Sequence, residues 1–117
     1  MIAVIFEVWP SEGRKDEYMD YAARLRSELQ GIDGFISVER FQSLADPGKL
    51  LSLSFWRDEH AVAAWRNHEE HRAAQAAGRH GVFQNYRICV AEVVRDYALA
   101  ERRKQAPDDS RQAHDAI

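Results

Sequence analysis

The chain has 117 residues, 45% of them hydrophobic, and its 16 basic and 19 acidic side chains give a formal charge of −3. This length predicts one domain with a sizeable core, the mild acidity argues against nucleic acid as the main partner, and no apolar run approaches the ~20 residues that span a bilayer. The single cysteine, Cys89, excludes an internal disulfide and a cysteine-cluster zinc site. Together with an N-terminus that lacks the pattern of a secretion signal, it predicts a cytoplasmic protein.

The first elements of the chain are a strand and a helix. Ile2–Trp9 has the period-two alternation of a strand, and both of its faces are largely apolar. A breaker cluster at 10–13 follows it. Arg14–Leu29 then has the spacing of a helix with one apolar stripe. The stripe is formed by Tyr18, Ala22, Leu25 and Leu29.

Two further strands form a predicted hairpin. Phe35–Gln42 and Lys49–Trp56 both alternate with a period of two. Between them, Asp46-Pro47-Gly48 is a strong turn signal, because proline presets φ and glycine accepts a positive φ. We therefore expect the two strands to pair in antiparallel fashion.

The next segment predicts a second helical region. Asp58 occupies an N-cap position ahead of the apolar run Ala61–Trp65. The sequence becomes polar over 67–72, and an alanine-rich piece follows that stops at Gly78. We expect a short helix, a bend and a second short helix.

A last strand and a change in composition mark the end of the domain. Asn85–Arg95 alternates as a strand does. Beyond Tyr97 the chain is polar, so we place the domain at residues 1–97. Residues 98–117 are expected to form an arm or tail that is partly disordered.

The order of the predicted elements is β-α-β-β-α-β. This order is typical of a ferredoxin-like α+β fold, an antiparallel four-stranded sheet with both helices on one face. The other face carries Ile5, Trp9 and either the set Leu51, Leu53 and Phe55 or their neighbours. An apolar face of this size predicts association. The simplest arrangement is a homodimer whose two sheets pack face to face and close a barrel.

Two short motifs accompany the βαββαβ order. One is SFWRDE at 54–59, in which Trp56 closes the third strand ahead of an acidic helix start. The other is AWRNHEEH at 64–71, in which a histidine, His71, follows Trp65 by six positions. Together with the order of the elements, these motifs resemble the antibiotic biosynthesis monooxygenase family. The resemblance covers about residues 2–95 and implies a dimeric α+β barrel.

The resemblance also implies a choice of activities. Some members oxidise aromatic polyketide quinols or other quinols with dioxygen and no cofactor. Others degrade haem, which they hold through a histidine on the second helix, an asparagine on the first strand and a tryptophan. Here Gln75 stands where that histidine would fall, and Phe6 and Glu7 occupy the strand region. The resemblance therefore favours oxidation without a cofactor over haem degradation.

His68 and His71 lie three residues apart and could share a helical face. Three interpretations stay open: a solvated polar bend, a catalytic or substrate-orienting role in which His71 points into the cavity, and a metal site. The spacing matches neither H-x-x-x-H nor H-E-x-x-H, so we predict no metal. Histidine suits the removal of a quinol proton, because it titrates near neutral pH. We name His71 as a catalytic candidate and His68 as a substrate-binding one.

Two tryptophans are candidates for the site. Trp65 occupies an inward helix position, where a large apolar side chain packs in the core. The resemblance implies a second, compatible role, as the wall on which a planar aromatic substrate stacks, so we name Trp65 as a catalytic candidate. Trp56 is expected in packing or at an interface, and we name it as a substrate-binding candidate.

Arg40 and Arg87 are charges within predicted strands. An inward arginine needs an anion or hydrogen-bond partners, and each could form a cross-strand ion pair. The acidic residues in reach are Glu7, Glu39 and Glu92. Alternatively, one arginine stabilises the oxyanion that forms when a phenol or quinol loses its proton. We name Arg87 as a catalytic candidate, and Arg40 and Tyr86 as substrate-binding candidates.

The resemblance, together with a cavity expected to be lined by Trp65, His71 and Arg87, implies a cofactor-independent monooxygenase that oxidises a small aromatic, quinol or polyketide-like substrate with dioxygen. A base removes the hydroxyl proton of the substrate, the anion passes an electron to dioxygen, and recombination gives a peroxide that collapses to the quinone. The sequence has no glycine-rich phosphate loop, so no nicotinamide cofactor is expected. The alternative is a non-catalytic dimeric protein that binds a small molecule or serves as a stress-related accessory.

Overall fold

The structure is a computed structural model that describes residues 1–68, 76 and 81–101. The elements follow in the order β1 (Ile2–Pro10), α1 (Lys15–Leu29), β2 (Phe35–Gln42), β3 (Leu50–Trp56), α2 (Glu59–Arg66) and β4 (Phe83–Glu92), with a short 3-10 turn at Leu99–Glu101. The strands form one antiparallel sheet in the order β2-β3-β1-β4. The predicted ferredoxin-like α+β fold is confirmed.

Two element boundaries show how the local sequence acts. Helix α2 begins as predicted, because the carboxylate of Asp58 accepts a hydrogen bond of 2.9 Å from the backbone N–H of Ala61. The last strand is shifted toward the N-terminus relative to the predicted Asn85–Arg95. An irregularity at the end of β1 pairs Pro10 with Phe83, so that β4 starts earlier than its alternation indicates.

Several predictions lie outside the described residues. These are the bend beyond His68, the second short helix ending at Gly78, and the tail beyond residue 101. Within the described ranges, no helix is long and apolar enough to cross a membrane.

The buried side chains on the helix-covered face form two clusters. The first, which we call the Trp56 cluster, consists of Ile2, Leu29, Trp56, Ala61 and Trp65. The second, the Val8 cluster, consists of Val8, Tyr18, Leu50 and Val82. Ile2 pairs with Trp56 and Val8 pairs with Leu50, so the clusters lie at opposite ends of the β1–β3 pair. The middle of the sheet is left between two separate cores.

The opposite side of the sheet, which we call the outer face, is part apolar and part charged. Its central pair, Ile5 and Leu53, is half-buried. At one end Glu7 forms ion pairs with Lys49 at 2.7 Å and with Arg87 at 3.4 Å. The two-sided apolar character predicted for β1 is therefore present, and a charged cluster interrupts it.

Candidate functional site

A cavity of about 480 Å³ lies between the middle of the sheet and the two helices. Its walls are largely apolar, and its volume falls within the range of small-molecule sites, about 300–1,000 Å³. It occupies the space between the Trp56 and Val8 clusters, since Val4 and Phe6 of β1 line it while Ile2 and Val8 belong to the clusters.

The cavity exists because β3 presents small polar side chains at two central positions. Ser52 pairs with Phe6 and Ser54 pairs with Val4, so both serines lie on the helix-covered face and line the cavity. The Ser54 hydroxyl accepts a hydrogen bond of 2.9 Å from the indole N–H of Trp56. Native cores are normally close-packed, so larger apolar residues at these two positions would fill the space that the cavity now occupies.

Trp65 forms one wall of the cavity. It is 9% exposed, its ring lies 6.4 Å from that of Trp56, and it stacks on His68 at 5.5 Å. Trp65 thus belongs to the core and lines the cavity at once, as the two compatible interpretations of this residue require. Trp56 also lines the cavity from within the core.

The cavity is open along the edge strand β4. Tyr86, Ile88 and Val90 line it and are 55%, 52% and 48% exposed, although they face the same side of the sheet as buried Val8. Phe6 and Phe83 contact the Tyr86 ring at 6.0 and 6.2 Å between centroids. A ligand can therefore enter across an aromatic and aliphatic rim.

One strongly polar group, Arg40, lines the inner part of this apolar space. Its neighbour across the β2–β3 pair is Ser52, and its Nε atom is buried with no hydrogen-bond partner in the described part of the chain. An unsatisfied buried donor costs about 1–3 kcal/mol. Burial raises the pKa of Tyr18, which also lines the cavity, and the nearby Arg40 charge opposes this shift.

The structure brings some of the sequence candidates together and separates others. The residues that share the cavity lining are Arg40, Trp56, Trp65 and Tyr86. His68 lies behind Trp65, with its Nε2 3.8 Å from a Glu28 oxygen and its Nδ1 buried. Arg87 lies on the outer face, where its ion pair with Glu7 is one of the cross-strand pairings predicted. His71 is outside the described residues.

The sequence pattern did not single out several residues of the lining. The helical spacing predicts Tyr18 only as part of the apolar stripe of α1, and it predicts no role for the inward serines. Their signal was present in β3, where Ser52 and Ser54 alternate with Leu51, Leu53 and Phe55. The larger alternate set lies with Ile5 on the outer face, so the polar set faces the helices.

The chemistry that the described lining offers is hydrophobic enclosure, aromatic stacking and one fixed positive region. The titratable groups in it are tyrosines and arginines; the lining that the structure describes has no carboxylate or imidazole. Across residues 1–68, 76 and 81–101 no group of three metal-ligating side chains occurs.

Fold and cavity together define a class, a ferredoxin-like α+β domain with a cavity of small-molecule size between its sheet and its helices. The sequence profile of antibiotic biosynthesis monooxygenases matches residues 1–77. The chain therefore belongs to the antibiotic biosynthesis monooxygenase family.

Two curated relatives cover most of the chain. The jasmonate monooxygenase ABM of Pyricularia oryzae is 43% identical over 115 residues, which are 98% of this chain and 54% of that protein. The chain thus spans about half the length of this relative. The uncharacterized protein YqjZ of Bacillus subtilis is 35% identical over 99 residues, 85% of this chain and 84% of that protein.

Solved structures share the fold at low sequence identity. A Deinococcus radiodurans protein, provisionally assigned to the antibiotic biosynthesis monooxygenases, has a TM-score of 0.76 at 15% identity and covers 85% of this chain and 98% of its own. Rv0793 of Mycobacterium tuberculosis has a TM-score of 0.75 at 15% identity, with coverages of 83% and 98%. These likenesses establish the architecture.

Proposed function

We propose that the protein is a monooxygenase that oxidises a small aromatic, quinol or polyketide-like molecule with dioxygen and without a cofactor. The observation that carries the proposal is the apolar cavity of about 480 Å³, walled by Trp65 and Trp56, in a member of this family. A substrate that can itself reduce dioxygen needs from the protein only enclosure, orientation and control of one proton.

The proposed reaction balances without an external reductant. A base takes the hydroxyl proton of an electron-rich phenol, and the ring anion transfers one electron to dioxygen. The radical pair combines to form a C–O bond at a ring carbon that still bears hydrogen. Protonation gives a hydroperoxide, which loses water as its O–O bond breaks and that carbon becomes a carbonyl. The substrate supplies four electrons, one oxygen atom enters the quinone and the other leaves as water.

The residues proposed for these steps are those of the sequence analysis. Trp65 stacks on the ring, and Tyr86 at the rim can donate a hydrogen bond to a substrate oxygen. His71 is proposed to accept the proton, a role that suits a histidine near neutral pH. The role of Arg87 stays a prediction and would require substrate access to the outer face.

Oxygen uptake with a panel of quinols and hydroxynaphthalenes tests the proposal. Under labelled dioxygen, we expect one labelled oxygen atom per product molecule. Trp65→Phe and His71→Ala should each lower the rate, and His60→Ala should match the wild type, because His60 is exposed outside the cavity lining. Rates equal to buffer for wild type across the panel would overturn the proposal.

A second candidate is a non-catalytic protein that binds a small molecule or serves as a stress-related accessory. It is favoured by the described lining, which offers no carboxylate or imidazole to act as a base. A ligand that raises the melting temperature but is recovered unchanged under dioxygen would select this candidate.

We further propose that the protein acts in the cytoplasm as a homodimer joined through the outer face. The half-buried apolar residues of that face support this. They are Ile5, Leu51, Leu53, Phe55 and Cys89. Sedimentation at micromolar concentration should give a dimer, and Leu53→Lys should shift it to a folded monomer, because Leu53 pairs with Ile5 at the centre of the face. A wild-type monomer would refute this arrangement.

A further inference from the structure

We infer that the cavity selects ligands with a permanent negative charge, an organic acid whose carboxylate or sulfonate contacts the Arg40 guanidinium while its apolar body fills the space beside Trp65. This inference rests on the proposed function in that it concerns the same cavity, and it names the class of substrate that the cavity would take. It requires no particular reaction.

In the part of the chain that the structure describes, no carboxylate forms an ion pair with Arg40. Glu7 pairs with Lys49 and Arg87 on the outer face. The Nε atom of Arg40 is buried, and residues 1–68, 76 and 81–101 offer it no acceptor. Arg40 as a whole is half-buried, but a buried donor atom normally has an acceptor, so the acceptor for Nε is expected to come with the ligand.

The guanidinium of Arg40 belongs to a polar part of the cavity lining. Arg40 lines the cavity opposite Ser52, and Tyr18, which is 6% exposed, lies close enough for the Arg40 charge to act on its hydroxyl. The planar fork of a guanidinium matches the oxygens of a carboxylate or sulfonate. Hydroxyl groups such as those of Ser52 and Tyr18 can donate to the same oxygens.

The apolar walls of the cavity determine what the rest of the ligand can be. Every other wall of the cavity beside this polar end is dominated by apolar side chains, among them Val4, Phe6, Leu25 and Val62. A small inorganic anion would leave this surface uncovered. A transient phenolate would leave the guanidinium unpaired before reaction. An acid with an aromatic or aliphatic body satisfies both ends of the cavity at once.

A pair of fluorescent probes separates charge from shape. Anilinonaphthalene sulfonate carries a sulfonate, and N-phenyl-naphthylamine has the same ring framework without it. Titration of the purified protein with each probe should give binding of both to the cavity. Arg40→Gln should weaken sulfonate-probe binding by about 10- to 100-fold, the loss of a charge-assisted contact, and change binding of the neutral probe by less than about twofold. Arg40→Lys keeps the positive charge without the planar fork, so its affinity for the sulfonate probe should lie between that of the wild type and that of Arg40→Gln.

Three controls make the result decisive. Arg26→Gln removes an exposed arginine of α1 outside the lining and should bind both probes as the wild type does. Arg66→Gln removes the other arginine of the lining, which is exposed, and should have the smaller effect. Naphthaleneacetic acid should displace the sulfonate probe, and its methyl ester should not.

The outcomes are distinct. Equal loss of both probes in Arg40→Gln, or no loss of either, would overturn the inference, as would a loss found in Arg66→Gln instead. Thermal melting guards against misfolding: Arg40→Gln should melt close to the wild type, because Arg40 is half-buried and its buried Nε has no acceptor among the described residues to lose. Binding is measured without turnover, so failure of the monooxygenase proposal appears only in oxygen uptake and leaves this result unaffected.

Discussion

Filling the cavity should make the protein more stable and unable to bind its ligand. Ser52 lies at the centre of the sheet, between Phe6 and Arg40, and lines the cavity. Ser52→Leu replaces a hydroxyl with three carbon atoms that would enter the empty space. At about 0.8 kcal/mol per buried carbon, full burial would contribute about 2.4 kcal/mol. Because Ser52 is half-buried beside an open cavity, we expect about half of this, ~1 kcal/mol.

Urea unfolding and titration with N-phenyl-naphthylamine measure the two sides of this prediction. The free energy of unfolding should rise by about 1 kcal/mol, equivalent to a melting temperature about 4 °C higher in a domain of this size. Binding of the neutral probe should be lost. Ser37→Leu, on an exposed serine of β2 outside the lining, should leave probe binding unchanged. A less stable Ser52→Leu, or one that still binds the probe as tightly, would refute the cavity-filling argument.

Three further predictions concern packing, backbone and charge. Trp65→Ala should lower the free energy of unfolding by about 3–5 kcal/mol in urea, because Trp65 is 9% exposed within the core; a loss below 1 kcal/mol would contradict its core role. Gly34→Ala should lower the free energy of unfolding by at least about 2 kcal/mol, since Gly34 has φ +89° and an added Cβ would lie 2.6 Å from a side chain of α2. Gly13→Ala, at φ +77° with nothing within 4 Å of the added Cβ, should lower it by less. Equal losses in the two variants would exclude the clash. A hydrogen bond from Lys49 holds the pKa of Glu7 below its ordinary value. The Glu7 carboxylate therefore stabilises the fold at any pH above its ordinary pKa. This stabilisation is lost as the pH falls through the lowered pKa of the folded protein. The difference in unfolding free energy between wild type and Glu7→Gln should therefore shrink on acidification, and a constant difference would contradict this.

The fold could be predicted because its signals are local and repetitive. The alternation in Ile2–Trp9, the helical stripe of α1 and the N-cap at Asp58 each record a period or a capping preference that the structure retains. The end of the last strand could not be read in the same way. The pairing of Phe83 with Pro10 depends on an irregularity in another strand, 73 positions away along the chain. The sequence around Phe83 carries no information about it.

The candidate site could be predicted only in part, because the face of each strand depends on register. Arg40 and Arg87 have the same local signal, a charge among apolar alternating residues. The pairing of Arg40 with Ser52 turns it toward the helices, and the pairing of Arg87 with Glu7 turns it to the outer face. The cavity is open because the side chain at Ser52 is small, and a hydrophobic sequence pattern marks the large apolar residues of a core but not the positions where a small residue leaves space.

The buried side chains form two clusters at the ends of the sheet, and only some of the cavity lining belongs to them. Arg40 and Ser52 line the cavity outside both clusters. Substitutions at Arg40 or Ser52 can therefore reshape the chamber while both clusters stay intact. Such an arrangement gives one scaffold the freedom to acquire new substrates by changing a few central side chains, and it makes those positions the natural targets for redesign.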